Sequence, residues 1–364
     1  MILCSNPRQQ YNAYKNEIDA AVKRVLDSGR YILDEETRAF EDEFASAMGA
    51  HHAVGVANGT DALILAMKSL GIKAGDEVIT VSHTAMATVA AVLNVGAVPV
   101  FIDIDPESYT LDVKWLEKVY TPKVKAIIAV HLYGHPADMP AINAFAKAHH
   151  LKVIEDCAQA HGASINGQCV GTFGEVGCFS FYPTKNLGAI GDGGAVITND
   201  TALDQKMRQF REYGWDEHRE SQFPGLNSRL DEIQAAVLRI KLKYLRDDIK
   251  KRRTVAAQYT QALFGFDLVL PREKEQCSHV YHLFVIQSKQ RDDLKKHLNN
   301  DNIFPGIHYP KAVHQQAVCQ RSPLRIPLPN TDLIVGQILS LPMYPELSAD
   351  DVLKVIESIK VFYQ

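Results

Sequence analysis

Residues 177–199 read GCFSFYPTKNLGAIGDGGAVITN. Two short apolar runs, GCFSFY (177–182) and GAVITN (194–199), have the length and composition of buried strands. Between them a single lysine, Lys185, sits among Pro183, Leu187 and a run of glycines. Most lysines are simply solvated. A lysine flanked by Phe181, Tyr182 and Leu187 is partly desolvated, and burial lowers an amine's pKa and makes it a nucleophile toward carbonyls. The stretch therefore points to Schiff-base chemistry beside a strand. Its glycines precede a strand instead of following one and opening a helix, so they are not a dinucleotide fingerprint. They allow tight backbone near a bound group.

Outward from this stretch, strands alternate with helices. HAVGVA (52–57), EVITVS (77–82), AVPVFID (97–103), KAIIAVHL (125–132) and KVIEDC (152–157) continue the strand series. Helices are expected at 9–28, 35–48, 84–94, 200–213 and 229–250. The alternation predicts an α/β fold with a mostly parallel central sheet flanked by helices. After about residue 250, a few strands (VYHLFVIQ, 280–287), short helices and a proline-rich segment suggest a smaller α+β unit. The chain of 364 residues is long for one core. The expected division is a large domain, 1–245, with N-terminal helices, and a small C-terminal domain, 246–364, that contributes to the substrate cleft.

Bulk properties narrow the function. Net charge is −4, from 39 basic and 43 acidic residues, so no basic excess invites a nucleic acid or a membrane surface. The six cysteines form no CxxC pair, which suits reduced thiols in a cytoplasmic protein. The start, MILCSNPRQQYNAYKNE, lacks the apolar core of a signal peptide, and no apolar run reaches the ~18 residues of a membrane span.

In open α/β sheets, ligands gather at the carboxyl ends of the strands. Three motifs fall there. In NGTDAL, Gly59 and Thr60 open a helix whose free N–H groups suit a phosphate, although an ordinary helix cap has the same look. In KVIEDCAQAHG, Asp156 ends a strand with Gln159 just beyond it; only His161 lies near enough to make a metal site, so no metal is expected. Ser180 precedes Lys185. Pyridoxal phosphate needs a lysine for its aldehyde, an acid for its pyridine nitrogen and a phosphate cup. Lys185, Asp156 and the Gly59-Thr60/Ser180 group supply all three.

With these residues in place, the chain resembles the sugar-nucleotide aminotransferases, a branch of the fold type I (aspartate aminotransferase-like) pyridoxal-phosphate enzymes. ANGTDAL, VIEDCAQAHGA, GTFGEVGCFSFYPTKNLGAIGDGG, REYGW and NSRLDEIQAAV carry the resemblance, from about residue 30 to 345. It implies that Lys185 bonds the cofactor aldehyde and moves the proton, that Asp156 pairs with the pyridinium nitrogen, and that Gln159 contacts the ring's phenolic oxygen. Gly59, Thr60 and Ser180 would hold the phosphate, and Asn227 would reach the phosphate of a partner subunit in a homodimer with shared active sites.

VSHTAMATVAAV departs from many relatives, with Ala85 where an aromatic is expected on the ring; His83 or Met86 is then expected to cover that face. The SHTAxATVAA form, HLYGHPADM and VYHLFVI resemble the subgroup acting on 3-keto sugars. That implies amino transfer from L-glutamate to C3 of a nucleotide-linked, dTDP-type 3-keto-6-deoxyhexose, with a 3-amino-3,6-dideoxyhexose as product. Tyr31, Tyr182, Arg219, His308 and Tyr309 are the expected substrate contacts. Two alternatives stay open here: a 4-aminotransferase, and a regulatory protein that binds the cofactor without catalysis.

Overall fold

The computed structural model describes residues 1–364 apart from 321 and 323. The expected apolar runs form the strands of one seven-stranded sheet. In chain order these are β1 (His52–Val56), β2 (Glu77–Val81), β3 (Val98–Ile102), β4 (Val124–Val130), β5 (Lys152–Asp156), β6 (Val176–Ser180) and β7 (Gly194–Thr198). Their spatial order is β1-β7-β6-β5-β4-β2-β3. All neighbours pair parallel except β7, which runs antiparallel to both β1 and β6. The reversal follows from the connection. Residues 181–193 contain no helix, and the chain turns back beside the strand it has just left, whereas parallel neighbours need a crossover. Ala126, Ile127, Ile128 and Ala129 of β4 are all fully buried, as a sheet covered on both faces requires.

Tertiary contacts reshape two helices. The helix expected over 9–28 is two, Pro7–Ala13 and Lys15–Ser28, with Tyr14 at the joint. Tyr14 stacks on Tyr244 and donates to Asp248 at 2.8 Å, which offsets the helical bonding lost there. The helix expected at 229–250 starts at Glu232 and runs on to Leu263, because no glycine or proline interrupts it before Gly265. Its first part packs Ala235 and Leu238 against Phe40 and Phe44; its last part carries Val255, Tyr259 and Leu263 into a separate cluster with Phe284, Leu341 and Ile356. The 245/246 division expected from the sequence falls inside this continuous helix.

The second cluster is built on β8 (Phe284–Gln287) and β9 (Ile338–Leu341), an antiparallel pair. The strand expected from 280 begins only at Phe284, because the preceding residues bond elsewhere: Val280 N–H donates to Gly134 O and Leu283 N–H to Tyr133 O. Between β8 and β9 the chain returns to the large sheet, where Val313, Cys319, Ile326 and Leu328 join its core.

Glu232 joins the long helix to the N-terminal part. Its carboxylate accepts from the N–H groups of Asp34, Glu36 and Thr37 at 2.8–2.9 Å, and from the Thr37 hydroxyl. These amides open the helix Glu35–Met48, whose N-cap residue, Asp34, makes no side-chain cap. Burial pushes the Glu232 carboxyl up, but these donors outweigh it and hold the group below the usual range.

Candidate active site

Five strands deliver residues to one cavity of about 550 Å³ at their carboxyl ends. After β1 come Asn58, Gly59 and Thr60; after β2, Thr84 and Ala85; after β4, His131 and Leu132; at the end of β5, Asp156 and Gln159; and from β6, Ser180, Tyr182 and Lys185.

The lysine loop closes on itself. Lys185 N–H donates to Tyr182 O at 2.8 Å, Ala189 N–H to Phe181 O at 2.7 Å, and Phe181 N–H to Gly193 O at 2.8 Å. A Cβ on Gly188 would lie 2.5 Å from the Pro183 carbonyl oxygen, so the turn admits only glycine there. Burial lowers the Lys185 pKa to about 8, against the opposing pull of the Asp156 charge. Roughly one amine in ten is then neutral at pH 7, against about one in three thousand at the ordinary value. Reconstitution of apo protein with pyridoxal phosphate is therefore expected to speed up with pH through a midpoint near 8. Stopped-flow absorbance measures it, and a rate still rising without inflection at pH 9.5 would contradict a desolvated amine.

Asp156 is held from two sides. Its Oδ2 accepts from Thr88 Oγ1 at 2.8 Å, and its Oδ1 from Ala158 N–H at 3.2 Å. Thr88 in turn meets Thr84 Oγ1 at 3.0 Å. The neighbouring acid has a different task. Glu155 accepts from His131 Nε2 at 3.0 Å and from the N–H groups of Gly171, Phe173 and Gly174, each at 2.7 Å. Since His131 Nδ1 accepts from Ala137 N–H, both ring nitrogens are engaged and the ring is neutral. Cys157 lies beside this pair, but a metal ion would have to displace these bonds, so the cluster is a structural anchor for residues 171–174.

The anion cup sits at the start of the helix Gly59–Ser69. Asn58 Oδ1 takes Asp61 N–H at 2.8 Å, and Asn58 O takes Ala62 N–H at 3.1 Å. Gly59 and Thr60, whose N–H groups are among the four that a helix start leaves free, both line the cavity. A Cβ on Gly59 would lie 2.6 Å from Ser180 Cβ, so glycine alone lets β6 come this close and brings the Ser180 hydroxyl to the same cup. Lysine, acid and cup thus fit pyridoxal phosphate.

Seven of the expected residues, Gly59, Thr60, Asp156, Gln159, Ser180, Tyr182 and Lys185, line the cavity together. His83, expected on the ring's face, does not: it is 1% exposed and bonds Tyr133 Oη at 2.7 Å through Nε2. Ala85 lines the wall instead. His308 and Tyr309 are not among the lining residues either. His308 Nδ1 is bonded to Ser340 Oγ at 2.9 Å, and Tyr309 Oη accepts from Gln159 Nε2 at 2.9 Å. Tyr31, Arg219 and Asn227 are exposed and lie outside this chain's cavity; Arg219 covers the Trp215 ring at 5.7 Å. Thr88 and Tyr133 lie within the VSHTAMATVAAV and HLYGHPADM stretches, but the sequence assigns neither a role, since each acts through a distant partner.

A lysine, an acid and a phosphate cup on a sheet of this topology define a fold type I pyridoxal-phosphate enzyme. The chain belongs to the DegT/DnrJ/EryC1/StrS aminotransferase family, whose profile matches residues 12–360. It is 45% identical over 354 residues to the UDP-N-acetyl-3-dehydro-alpha-D-glucosamine 3-aminotransferase of Acidithiobacillus ferrooxidans, covering 97% of this chain and 95% of that one. It is also 45% identical over 352 residues to the dTDP-3-amino-3,4,6-trideoxy-alpha-D-glucose transaminase of Streptomyces venezuelae, covering 96% and 93%. The crystal structure of S. venezuelae DesV in complex with a ketimine intermediate superposes with a TM-score of 0.97 at 43% identity, over 100% of this chain and 98% of that one. The protein is a PLP-dependent sugar-nucleotide aminotransferase. Among the described residues no helix is long and apolar enough to cross a membrane.

Proposed function

We propose that this aminotransferase moves an amino group from L-glutamate to C3 of a dTDP-linked 3-keto-6-deoxyhexose, giving a 3-amino-3,6-dideoxyhexose. The observation that carries the reading is Lys185 in one cavity with Asp156, Gln159 and the phosphate cup. The names of both curated relatives place the reaction at C3, which favours position 3 over position 4. Those names differ in the nucleotide, UDP in one and dTDP in the other; the 6-deoxy, dTDP-linked choice follows the second of them.

Pyridoxal phosphate, when bound, supplies an aldehyde that carries the amino group and a ring that accepts electrons. Lys185 Nζ would hold that aldehyde and, with burial lowering its pKa, would serve as the base that takes up and returns the proton. Asp156 would keep a proton on the pyridine nitrogen, Gln159 would donate to the phenolic oxygen, and Gly59, Thr60 and Ser180 would hold the phosphate. Tyr182, 54% exposed at the cavity, meets the sugar.

The cavity is completed by a second copy of the chain. Asn227 is exposed, while its neighbour Ser228 donates to Asp61 Oδ2 at 2.7 Å beside the cup. Tyr31, Ile32 and Ile190 leave 47–49% of their surface open, apolar area that suits a partner. Asn227 would then serve the partner's phosphate, and Tyr31 and Arg219 its substrate. Asn227→Ala is expected to weaken pyridoxal-phosphate retention about tenfold, read by equilibrium dialysis; wild-type retention would refute the shared site.

The decisive test of the function is the absorbance spectrum before and after L-glutamate. A visible band that glutamate converts to the pyridoxamine form, followed by turnover with the dTDP-3-keto sugar, is the expected result. A band that glutamate never changes would favour a binding protein or another donor.

A further inference from the structure

We propose that Tyr133 and Tyr309 form a two-sided clamp on the Gln159 amide, leaving it a single N–H directed into the cavity. Both are positioning residues. The inference rests on the reading of Gln159 as the contact to the cofactor's phenolic oxygen.

Counting protons fixes the arrangement. Tyr133 N–H donates to Gln159 Oε1 at 2.7 Å, which settles which end of the amide is oxygen. Nε2 gives one proton to Tyr309 Oη at 2.9 Å. An amide nitrogen has two protons, so one remains, on a side chain that lines the cavity. The clamp is itself braced. Tyr133 Oη gives its only proton to the His308 carbonyl, so His83 Nε2, 2.7 Å away, must be the donor to Tyr133. Burial lowers the His83 pKa to about 4, which keeps the ring neutral in that role. Residues 306–309 are fastened in turn to β9, through His308 Nδ1 to Ser340 Oγ at 2.9 Å and the Gly306–Ser340 backbone pair at 2.8 and 2.9 Å.

Tyr133 stands at φ +60°, a left-handed conformation unusual for a bulky residue. Its contacts with Gln159, His308 and Leu283 hold it there. The ionisable groups around the clamp are Tyr109, Asp156, Lys185, His83, His282 and His308, and burial lowers the pKa of all three histidines. Tyr309, expected as a sugar contact, thus also holds Gln159, and His308 braces Tyr133 through its carbonyl.

The test is the pH titration of the visible absorbance of the holoenzyme, in a double-mutant cycle. An N–H aimed at the phenolic oxygen favours its anion, so a loosened amide raises the midpoint. Tyr309→Phe, which removes the acceptor of the Gln159 Nε2 proton, is expected to raise it by about half a unit to one unit. Tyr133→Phe, which keeps the backbone N–H on Oε1 and loses only the hydroxyl brace to His308, is expected to raise it by a smaller amount. In the Gln159→Ala background neither is expected to shift it further. An unmoved midpoint in Tyr309→Phe, with only a raised KM for the sugar nucleotide, would overturn the clamp and make Tyr309 a substrate contact. A shift that persists without Gln159 would overturn it as well. A wild-type protein without any visible band after reconstitution would instead overturn the cofactor reading, and the clamp's purpose with it.

Discussion

Lys185→Ala is expected to lower amino transfer by at least about 10,000-fold, because it removes both the group that bonds the cofactor aldehyde and the base that moves the proton. The structure argues that this loss is chemical. The backbone bond from residue 185 to Tyr182 O survives any side chain, and no hydrogen bond of Lys185 Nζ is found among the described residues. Burial already disfavours the charged amine, so truncation costs packing alone. Asp156 and the cup at Gly59, Thr60 and Ser180 do not depend on the lysine, so the variant should still retain cofactor, now without a covalent bond. Its spectrum should lack the band of the lysine-bound form. Lys185→Arg, which keeps bulk and charge but cannot make that bond, should be as inactive. A rate within tenfold of wild type in either variant would rule out Lys185 as the reacting amine.

The lysine could be recognised from sequence because its neighbours announce its environment: aromatics before it, glycines after it, a strand on either side. The cup and Asp156 were legible for the same reason. Each motif begins where an apolar run stops, and in a parallel sheet those stops fall on one edge. What supports them was not legible. Thr88 is 68 residues from Asp156, Tyr309 is 150 from Gln159, and His308 is 175 from Tyr133. Such pairs leave no periodicity, because packing of separate elements decides them. His83 shows the limit most directly. Its place in SHTA suggested the ring's face, but its side chain turns into the core, where Tyr133 offers a partner. The same holds for the fold: the strands of the large sheet were readable to a residue or two, while the late start of β8 at Phe284, the break at Tyr14 and the run-on of the helix to Leu263 depend on distant partners, Gly134 and Tyr133 for the first and Tyr244, Asp248 and the second cluster for the others.

Asp156→Asn is expected to lower kcat about 1,000-fold with the cofactor still bound. Asparagine matches the shape of aspartate, and the surrounding network can accept it. Its Oδ1 can still take Ala158 N–H, and its Nδ2 can donate to Thr88 Oγ1, which would then donate to Thr84. The fold and the cup should therefore survive. What is lost is a fixed negative charge beside the pyridine nitrogen, and with it the protonated ring that stabilises the carbanion. Because the deficit lies in charge, N-methylated pyridoxal phosphate, which is permanently cationic at that nitrogen, should recover part of the rate in Asp156→Asn. Thr88→Val, which leaves the carboxylate but removes one of its two donors, should cost only about tenfold. Single-turnover kinetics with L-glutamate separate these cases. A fall in rate that the methylated cofactor fails to recover, together with cofactor loss, would mean that Asp156 supports the fold rather than the ring. An unchanged rate would remove it from the mechanism.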